Sequence, residues 1–315
     1  MDEAVSGVVH GRGGHGVVLQ GTGGRWQVRL DDGTTRVAAL RGRVKHAAGA
    51  KLAVGDAVTL EHDDAGAWAI TGIVPRRSQL ARRAPGGARG ERVVVANVDQ
   101  VVVVFAMAKP EPNEKMLDRF LVIAEANRIA ARIVINKADL APPGEAAARF
   151  APYTSLGYPL HVTSTVSGAG LEALHEALRG RVSVLSGPSG VGKSSLLNAL
   201  YPGIDLRVGA ISESVNKGRH TTVGARMHPL PDGGYVVDTP GLREVGLWGV
   251  PSGELAACFP EFVPVLAECR FADCRHLAEP HCGVRDALAA GRVSMSRYES
   301  YVKLREEIAE TERAW

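Results

Sequence analysis

Residues 182 to 200, "VSVLSGPSGVGKSSLLNAL", constrain this chain more than any other stretch. A short apolar run rich in β-branched residues leads into Gly187-Pro188-Ser189-Gly190-Val191-Gly192-Lys193-Ser194-Ser195, and a helical apolar period follows. A strand, a glycine-rich loop and a helix in this order form the setting of a phosphate-binding loop. Glycines let backbone N–H groups curl around phosphate oxygens, and the helix N-terminus adds partial positive charge. Lys193 is placed to reach the β- and γ-phosphates, and Ser194 to ligate Mg²⁺. The loop by itself does not separate ATP from GTP.

The segments around it supply that distinction. From Val93 onward, strands alternate with helices: "VDQVVVVFAM" and "ARIVINK" flank an amphipathic helix around "NEKMLDRFLVIAEANR", and "HVTS", "RVSVLSG" and "GYVVDTPG" continue the series. Such alternation predicts a parallel sheet with helices on both faces and ligands at the carboxyl ends of its strands. "NKAD" at 136 to 139 ends one of these strands. Guanine offers N1–H and N2–H₂ donors that adenine lacks as a pair, so Asp139 can accept both. Asn136 would complement O6 and N7, while Lys137 packs along the base or supports the phosphate loop. In "VTSTVSGAGL", Ser164 and the backbone near Thr165 would line the base, although Thr165 stands where a small alanine is usual. "DTPG" at 238 to 241 places Asp238 to hold Mg²⁺ through water and the Gly241 N–H near the γ-phosphate. Between the two lies "GRHTTVG", where Thr221 or Thr222 could contact the metal from a switch loop; the expected magnesium set is Ser194, Thr222 and Asp238.

The motifs run in an unusual order: base-reading tetrad, base-backing loop, phosphate loop, switch I, switch II. This is the usual cyclic order of a GTPase cut open before the tetrad. Domain termini lie close together, so joining the old ends and opening a loop elsewhere can assemble the same site. The prediction is a circularly permuted P-loop GTPase domain of α/β class over residues 93–250, using Mg²⁺ with GTP.

Two further modules are expected around it, making the chain multidomain. Before residue 79, short alternating segments such as "RWQVRL", "RVAAL", "DAVTLE" and "AWAITGIV" are broken by turn signals. About five strands in this length suit an all-β barrel of the oligonucleotide-binding (OB) class over 1–78, though a sandwich or SH3-like barrel gives a similar pattern. Residues 79–92 read as a basic linker loop: Arg76, Arg77, Arg82, Arg83, Arg89 and Arg92 face Glu91 alone between 76 and 92. The cluster is either a solvated linker or a phosphate-contacting loop beside an RNA-binding barrel. In 251–315, Cys269, Cys274, His276 and Cys282 can close a tetrahedral zinc site without an open catalytic position, so one structural Zn²⁺ is expected in a small helical module. His281 is the competing imidazole, and Cys258, beside Phe259 and Pro260, reads as packing. The tail "SRYESYVKLREEIAETERAW" reads as a helix. The longest apolar run, Val101–Ala108, falls far short of a bilayer span, and the start "MDEAVSGVVHGRGG" has no signal-peptide pattern. A cytoplasmic chain with no membrane attachment is therefore expected. A net charge of +3 is only mildly basic.

The combination of "GPSGVGKSSLLNAL", "GRHTT", "DTPGLREVGLW", a Cys-x₄-Cys-x-His-x₅-Cys module and an N-terminal β-barrel resembles the ribosome small-subunit-dependent GTPase A family, also called RsgA or YjeQ. "RRSQLARR", "ANVDQVVVV" and "RYESYVKL" agree, and the likeness covers nearly the whole chain. The resemblance implies a GTPase of late small-subunit maturation that contacts ribosomal RNA, turns GTP into GDP and phosphate, and is stimulated by the particle. A monomer is expected. Positioning and charge neutralisation would supply most of the catalysis of water attack on the γ-phosphate. Leu242 follows the switch II glycine where Ras-like enzymes carry a water-orienting glutamine, and a hydrophobic side chain cannot do that job. His220 and Lys193 are the expected catalytic residues, and the resemblance favours His220; the alternative is that His220 only caps or packs its loop. A nucleotide-controlled RNA-binding switch and a permuted GTPase of the large subunit are the rival functions.

Overall fold

Turn chemistry and strict alternation close the N-terminal residues into a barrel. The computed structural model describes residues 13–41, 51–83, 91–203, 225–238 and 250–313. Strands β1 (Gly13–Thr22), β2 (Arg25–Leu30), β3 (Thr35–Leu40), β4 (Ala57–His62) and β5 (Trp68–Ile73) form a closed barrel in the order β1-β2-β3-β5-β4. Neighbours pair antiparallel except β3 with β5. The inward-facing positions of the strands are apolar, and Val18, Val28, Val58, Leu60 and Ile70 fill the interior. Among the OB-like alternatives that alternation alone leaves open, this closed five-stranded order is the one formed. β1 is the strand the alternation does not reveal, because glycines interrupt it. At Gly16 a Cβ would lie 2.5 Å from the Arg29 carbonyl oxygen, so the close approach of β1 to β2 excludes a side chain there.

The described ends of the stretch read as a linker loop, 79–83 and 91–92, have strand structure. Gln79–Arg83 (β6) pairs antiparallel with Glu91–Ala96 (β7), and Leu80 sits opposite Val95 with both side chains fully buried. Local apolar burial at the base of this ribbon outweighs the charge density that suggests a solvated loop. Arg76, counted in that basic cluster, is committed elsewhere: its guanidinium forks onto both oxygens of the buried Asp56 at 2.7 and 2.9 Å and reaches the Lys51 carbonyl. Arg77 pairs with Asp99 at 3.1 Å. Arg76 therefore ties the chain leaving the barrel back to the barrel, and Arg77 fastens it to the start of the domain that follows.

That domain is a six-stranded sheet in the order β10-β9-β8-β11-β13-β12, built from β8 (Gln100–Ala106), β9 (Ala130–Asn136), β10 (Leu160–Val162), β11 (Val182–Ser186), β12 (Arg226–Pro229) and β13 (Tyr235–Asp238). All pairings are parallel except β12 with β13. β8 is buried along its whole length, as the run of valines predicts for a central parallel strand. β12 is an addition to the expected strands: four residues ending in Pro229 on a sheet edge carry almost no alternating signal. The permutation is visible in the pairing, since β8 at the start of the domain lies beside β11, the strand that leads into the glycine-rich loop.

Helix α1 (Glu114–Ala126) begins where the Asn113 side chain accepts from the Met116 N–H at 3.1 Å. Helices α2 (Glu145–Arg149), α3 (Ala151–Ser155), α4 (Leu171–Leu178) and α5 (Lys193–Leu200) complete the domain. The C-terminal module contains 3-10 turns at Leu255–Cys258 and Val263–Glu268, then α6 (Gly283–Ala289) and α7 (Met295–Arg313). It docks on α1. Leu117, Phe120 and Leu121 share one hydrophobic core with Leu255, Phe259, Phe262, Tyr301, Leu304 and Ile308. In the middle of that contact Arg297 of α7 is held by Asp118 of α1 at 2.6 Å and by Glu261 at 2.7 Å, with its guanidinium 4.7 Å from the Phe259 ring centroid. The Tyr153 hydroxyl donates to the same Asp118 oxygen at 2.9 Å.

Candidate nucleotide and metal sites

The carboxyl ends of β11, β9 and β10 carry the three loops that the sequence assigns to the nucleotide. Gly187 leaves β11 with φ +133°, and a Cβ there would fall 2.0 Å from the Val104 carbonyl oxygen. Only glycine lets the loop start so close to β8. Gly192 precedes α5 with φ +91°, and its Cβ would meet the Asn136 Nδ2 at 2.6 Å. Lys193 donates to the carbonyls of Gly187 at 2.9 Å and Pro188 at 2.7 Å. This directs loop carbonyls toward the ammonium. Val191 is fully buried and anchors the loop, while Ser189, Gly190 and Ser195 are exposed and Ser194 is half-buried at the helix start.

Asn136 is 1 % exposed, and both ends of its amide are engaged. Nδ2 donates to the Val191 carbonyl at 3.0 Å, and Oδ1 accepts from the Thr163 hydroxyl at 3.2 Å. The side chain that the sequence suggests for O6 and N7 is here a tie between β9, the base-backing loop and the phosphate loop. Lys137 has a left-handed backbone, φ +58°, and its ammonium donates to the Gly190 carbonyl at 2.6 Å and to the Lys109 carbonyl. Asp139 is exposed in the 3-10 turn Ala138–Leu140, and one of its oxygens accepts from the Ser164 hydroxyl at 2.5 Å. The Ser164 oxygen in turn accepts from the backbone N–H groups of Val166 and Ser167 at 3.2 and 3.1 Å, which fixes the loop that carries Thr165. Thr165 is half-buried beside this turn. The sequence does not reveal the supporting role of Thr163, which stands in "VTSTVSGAGL" beside the residues read there.

The switch residues stand differently. His220, Thr221, Thr222 and Gly241 lie outside the described residues, as does Leu242. The Asp238 backbone ends β13 opposite Leu185 of β11, two residues before Gly187; its side chain is also outside what is described.

The second cluster lies in the C-terminal module. The ligand atoms of Cys269, Cys274, His276 and Cys282 all fall within 4.8 Å of one another, and His281 is not part of the group. His276 Nδ1 is 3.5 Å from Cys269 Sγ and 3.4 Å from Cys282 Sγ. Tetrahedral bonds of about 2.3 Å to sulfur and about 2.0 Å to nitrogen place such atoms roughly 3.5 Å apart, so three thiolates and one imidazole fit one Zn²⁺. Burial lowers the His276 pKa and favours the neutral ring a metal needs. The ligand loop is held from outside: Tyr298 and Tyr301 of α7 donate to the carbonyls of His276 and Arg275 at 2.7 and 2.8 Å. Glu279 accepts from the backbone N–H of Arg275, Leu277 and Ala278 at 3.2, 2.9 and 3.1 Å. Cys258 is apart from the cluster, buried with its thiol directed to the Glu254 carbonyl, and burial pushes its pKa up to about 12.

A family model described as RsgA GTPase matches residues 73–248. The chain belongs to the RsgA GTPase family. A small ribosomal subunit biogenesis GTPase RsgA from Gemmatimonas aurantiaca is 64% identical over 297 residues, 93% of this chain and 97% of that one. A protein of the same name from Azotobacter vinelandii is 43% identical over 91% of this chain and 83% of its own. Among solved structures, that of YjeQ from Thermotoga maritima covers 94% of this chain and 99% of its own at 36% identity and a TM-score of 0.77. YloQ, described as a circularly permuted GTPase, covers 96% of this chain and 98% of its own at 29% identity and a TM-score of 0.74. Family membership and the strand order together make the central domain a circularly permuted GTPase domain. Among the described residues no helix is long and apolar enough to cross a membrane.

Proposed function

We propose that this chain binds the small ribosomal subunit late in its maturation and hydrolyses GTP to GDP and phosphate, with turnover stimulated by the particle. The observation that carries the nucleotide part is the direct bonding of the "NKAD" segment to the phosphate loop, Asn136 to Val191 and Lys137 to Gly190, across more than fifty residues of chain. A loop that holds phosphates and a turn that displays Asp139 are thereby fixed at one distance, as a guanine nucleotide requires. The free Asp139 oxygen, and the Ser164-bound one on its open side, accept the guanine N1–H and N2–H₂. Lys137 covers the base with its stem, Ser164 and Thr165 back it, and the backbone of Gly187 to Ser195 wraps the phosphates.

Lys193 leaves the Gly187 and Pro188 carbonyls for the β- and γ-phosphates when nucleotide enters, and neutralises charge that grows in the transition state. Magnesium, when bound, would supply positive charge to neutralise the phosphates. Ser194, Thr222 and Asp238 are the residues that would hold it, and the Gly241 N–H faces the γ-phosphate. His220 positions the attacking water in place of a glutamine. The Cys₃His cluster takes one structural Zn²⁺. The barrel contacts ribosomal RNA, the chain acts as a monomer in the cytoplasm, and the working modules are 1–78, 79–92, 93–250 and 251–315.

The similarity to proteins named for small-subunit biogenesis supports the particle assignment. GTP turnover measured alone, with purified small subunits and with large subunits tests it. Stimulation by small subunits alone is expected, and stimulation by neither particle would overturn the reading. His220→Ala should bind GTP and small subunits as the parent does and lose most of the stimulated rate, because its contact is made mainly in the transition state. Retention of the full stimulated rate would assign His220 to loop packing.

A further inference from the structure

At the end of the sheet opposite the nucleotide, three basic side chains gather without an acidic partner. Arg132 of β9 lies on the face that packs α4, four residues before Asn136 and hence roughly 13 Å from the nucleotide end of that strand. Its Nε donates to the Gln100 side-chain oxygen at 3.2 Å, and one terminal nitrogen lies 2.7 Å from His161 Nε2 on β10. Gln100 is itself locked, donating to the Ala177 carbonyl at 2.8 Å and the Ser183 hydroxyl at 2.9 Å. Arg181 is held over the same helix end by a bond to the Ala177 carbonyl at 2.7 Å, and burial, with the nearby Arg181 charge, lowers the pKa of Arg132.

Among the described residues no carboxylate pairs with Arg132, Arg181 or His161. Asp99, on the adjoining strand end, is taken by the Val182 N–H at 2.8 Å and by Arg77 at 3.1 Å. Burial, with Arg132 beside it, holds the His161 pKa at about 4, so the ring is neutral and its Nε2 accepts from Arg132. The ring proton is then on Nδ1, which becomes a donor. A half-buried guanidinium fixed in direction by neutral acceptors, a second arginine and a neutral imidazole N–H offer further donors and positive charge with no carboxylate to neutralise it among the described residues. Arg132 is half-buried and Arg181 exposed, and each guanidinium has N–H donors beyond those already bonded, so an oxyanion supplied from outside can add charge-assisted hydrogen bonds to them.

We propose that Arg132, Arg181 and His161 form a phosphate-binding site separate from the nucleotide pocket, and that its ligand on the small subunit is an RNA backbone phosphate. The last clause rests on the particle reading above; the phosphate chemistry does not. The GDP-loaded, zinc-replete protein, with its phosphate loop occupied, is titrated with inorganic phosphate against chloride at constant ionic strength while the side-chain N–H signals of Arg132 and Arg181 are followed by NMR. A saturable shift is expected in the parent, weaker in Arg132→Lys, which keeps the charge and loses the fork, and absent in an Arg132→Gln/Arg181→Gln double variant. Arg181→Gln alone, at an exposed position, guards against misfolding of the double variant.

Small-subunit binding is then measured against salt. Each lost phosphate contact lowers the slope of log affinity on log salt by about 0.9, so the double variant, which loses the one phosphate, should lose roughly 1 in slope. A phosphate shift with an unchanged slope would identify a small free anion as the ligand and overturn the RNA source. No shift in the parent would overturn the site, whether or not the protein binds the particle.

Discussion

Gly192 stands where the "NKAD" segment and the glycine-rich loop touch. Its left-handed backbone and the 2.6 Å approach of the Asn136 amide mean that an added methyl group both strains φ and displaces the bond from Asn136 to Val191. Gly192→Ala should therefore lower stability by roughly 1–3 kcal/mol and weaken GDP binding as well. Gly144 has a similar φ of +86°, but a Cβ added there would meet nothing within 4 Å, so Gly144→Ala should cost stability and leave GDP affinity as it was. Thermal melts and calorimetric titration of both variants check this; equal nucleotide affinity in the two would remove the contact from the account. At this scale the sequence is legible where chemistry is contiguous. "GPSGVGKS" and "NKAD" announce themselves because each motif's residues are neighbours in the chain. What Asn136 touches is not legible, since Thr163 and Val191 lie 27 and 55 residues away in other motifs and nothing in the sequence pairs them with it.

At the scale of elements, the contact between α1 and α7 turns on a buried charge. Arg297 and Asp118 are 5 and 2 % exposed, and Glu261 is 5 % exposed. Removing the cation leaves two carboxylates buried together, the situation in which losing one partner costs about 3–5 kcal/mol. Arg297→Ala should show that loss in denaturant unfolding and raise hydrogen exchange in α1 and α7. Arg297→Lys should not rescue it, because an ammonium cannot serve both carboxylates in the fork and stack on Phe259. An unchanged unfolding midpoint would contradict this view of the interface.

The ligand loop hangs from the same helix through Tyr298 and Tyr301. Cys274→Ser should therefore release zinc and loosen the module from about residue 251 onward, while the central domain still binds GTP. Metal analysis and hydrogen exchange read both; full zinc retention would sink the ligand assignment. The Cys₃His spacing can be read directly from the sequence. The docking of α7 cannot, because Arg297 meets Asp118 from 179 residues away. The ribbon of β6 and β7 is hidden for a different reason, as arginines at its far end mask the apolar pair at its base.

For the molecule as a whole, permutation changes what is attached to what. The break in the GTPase order puts the barrel before β8 and the C-terminal module after β13, and one hydrophobic core runs from Leu19 and Val54 beside the sheet through α1 to Ile308. The strand order needed for the nucleotide site survives because β11 still lies between β8 and β13. The order of motifs predicts this, whereas the shared core does not follow from any local pattern. The proposed function requires that segments reversed in sequence meet as a single guanine-nucleotide site. Nucleotide affinity of Asp139→Asn tests it most directly. Loss of two charge-assisted hydrogen bonds, each about 1.5–3 kcal/mol, should weaken GTP binding at least about 100-fold, while xanthosine triphosphate, whose 2-oxo group can accept from the new amide, should gain on it. Unchanged GTP affinity in that variant, with no gain for the xanthine nucleotide, would contradict the claim.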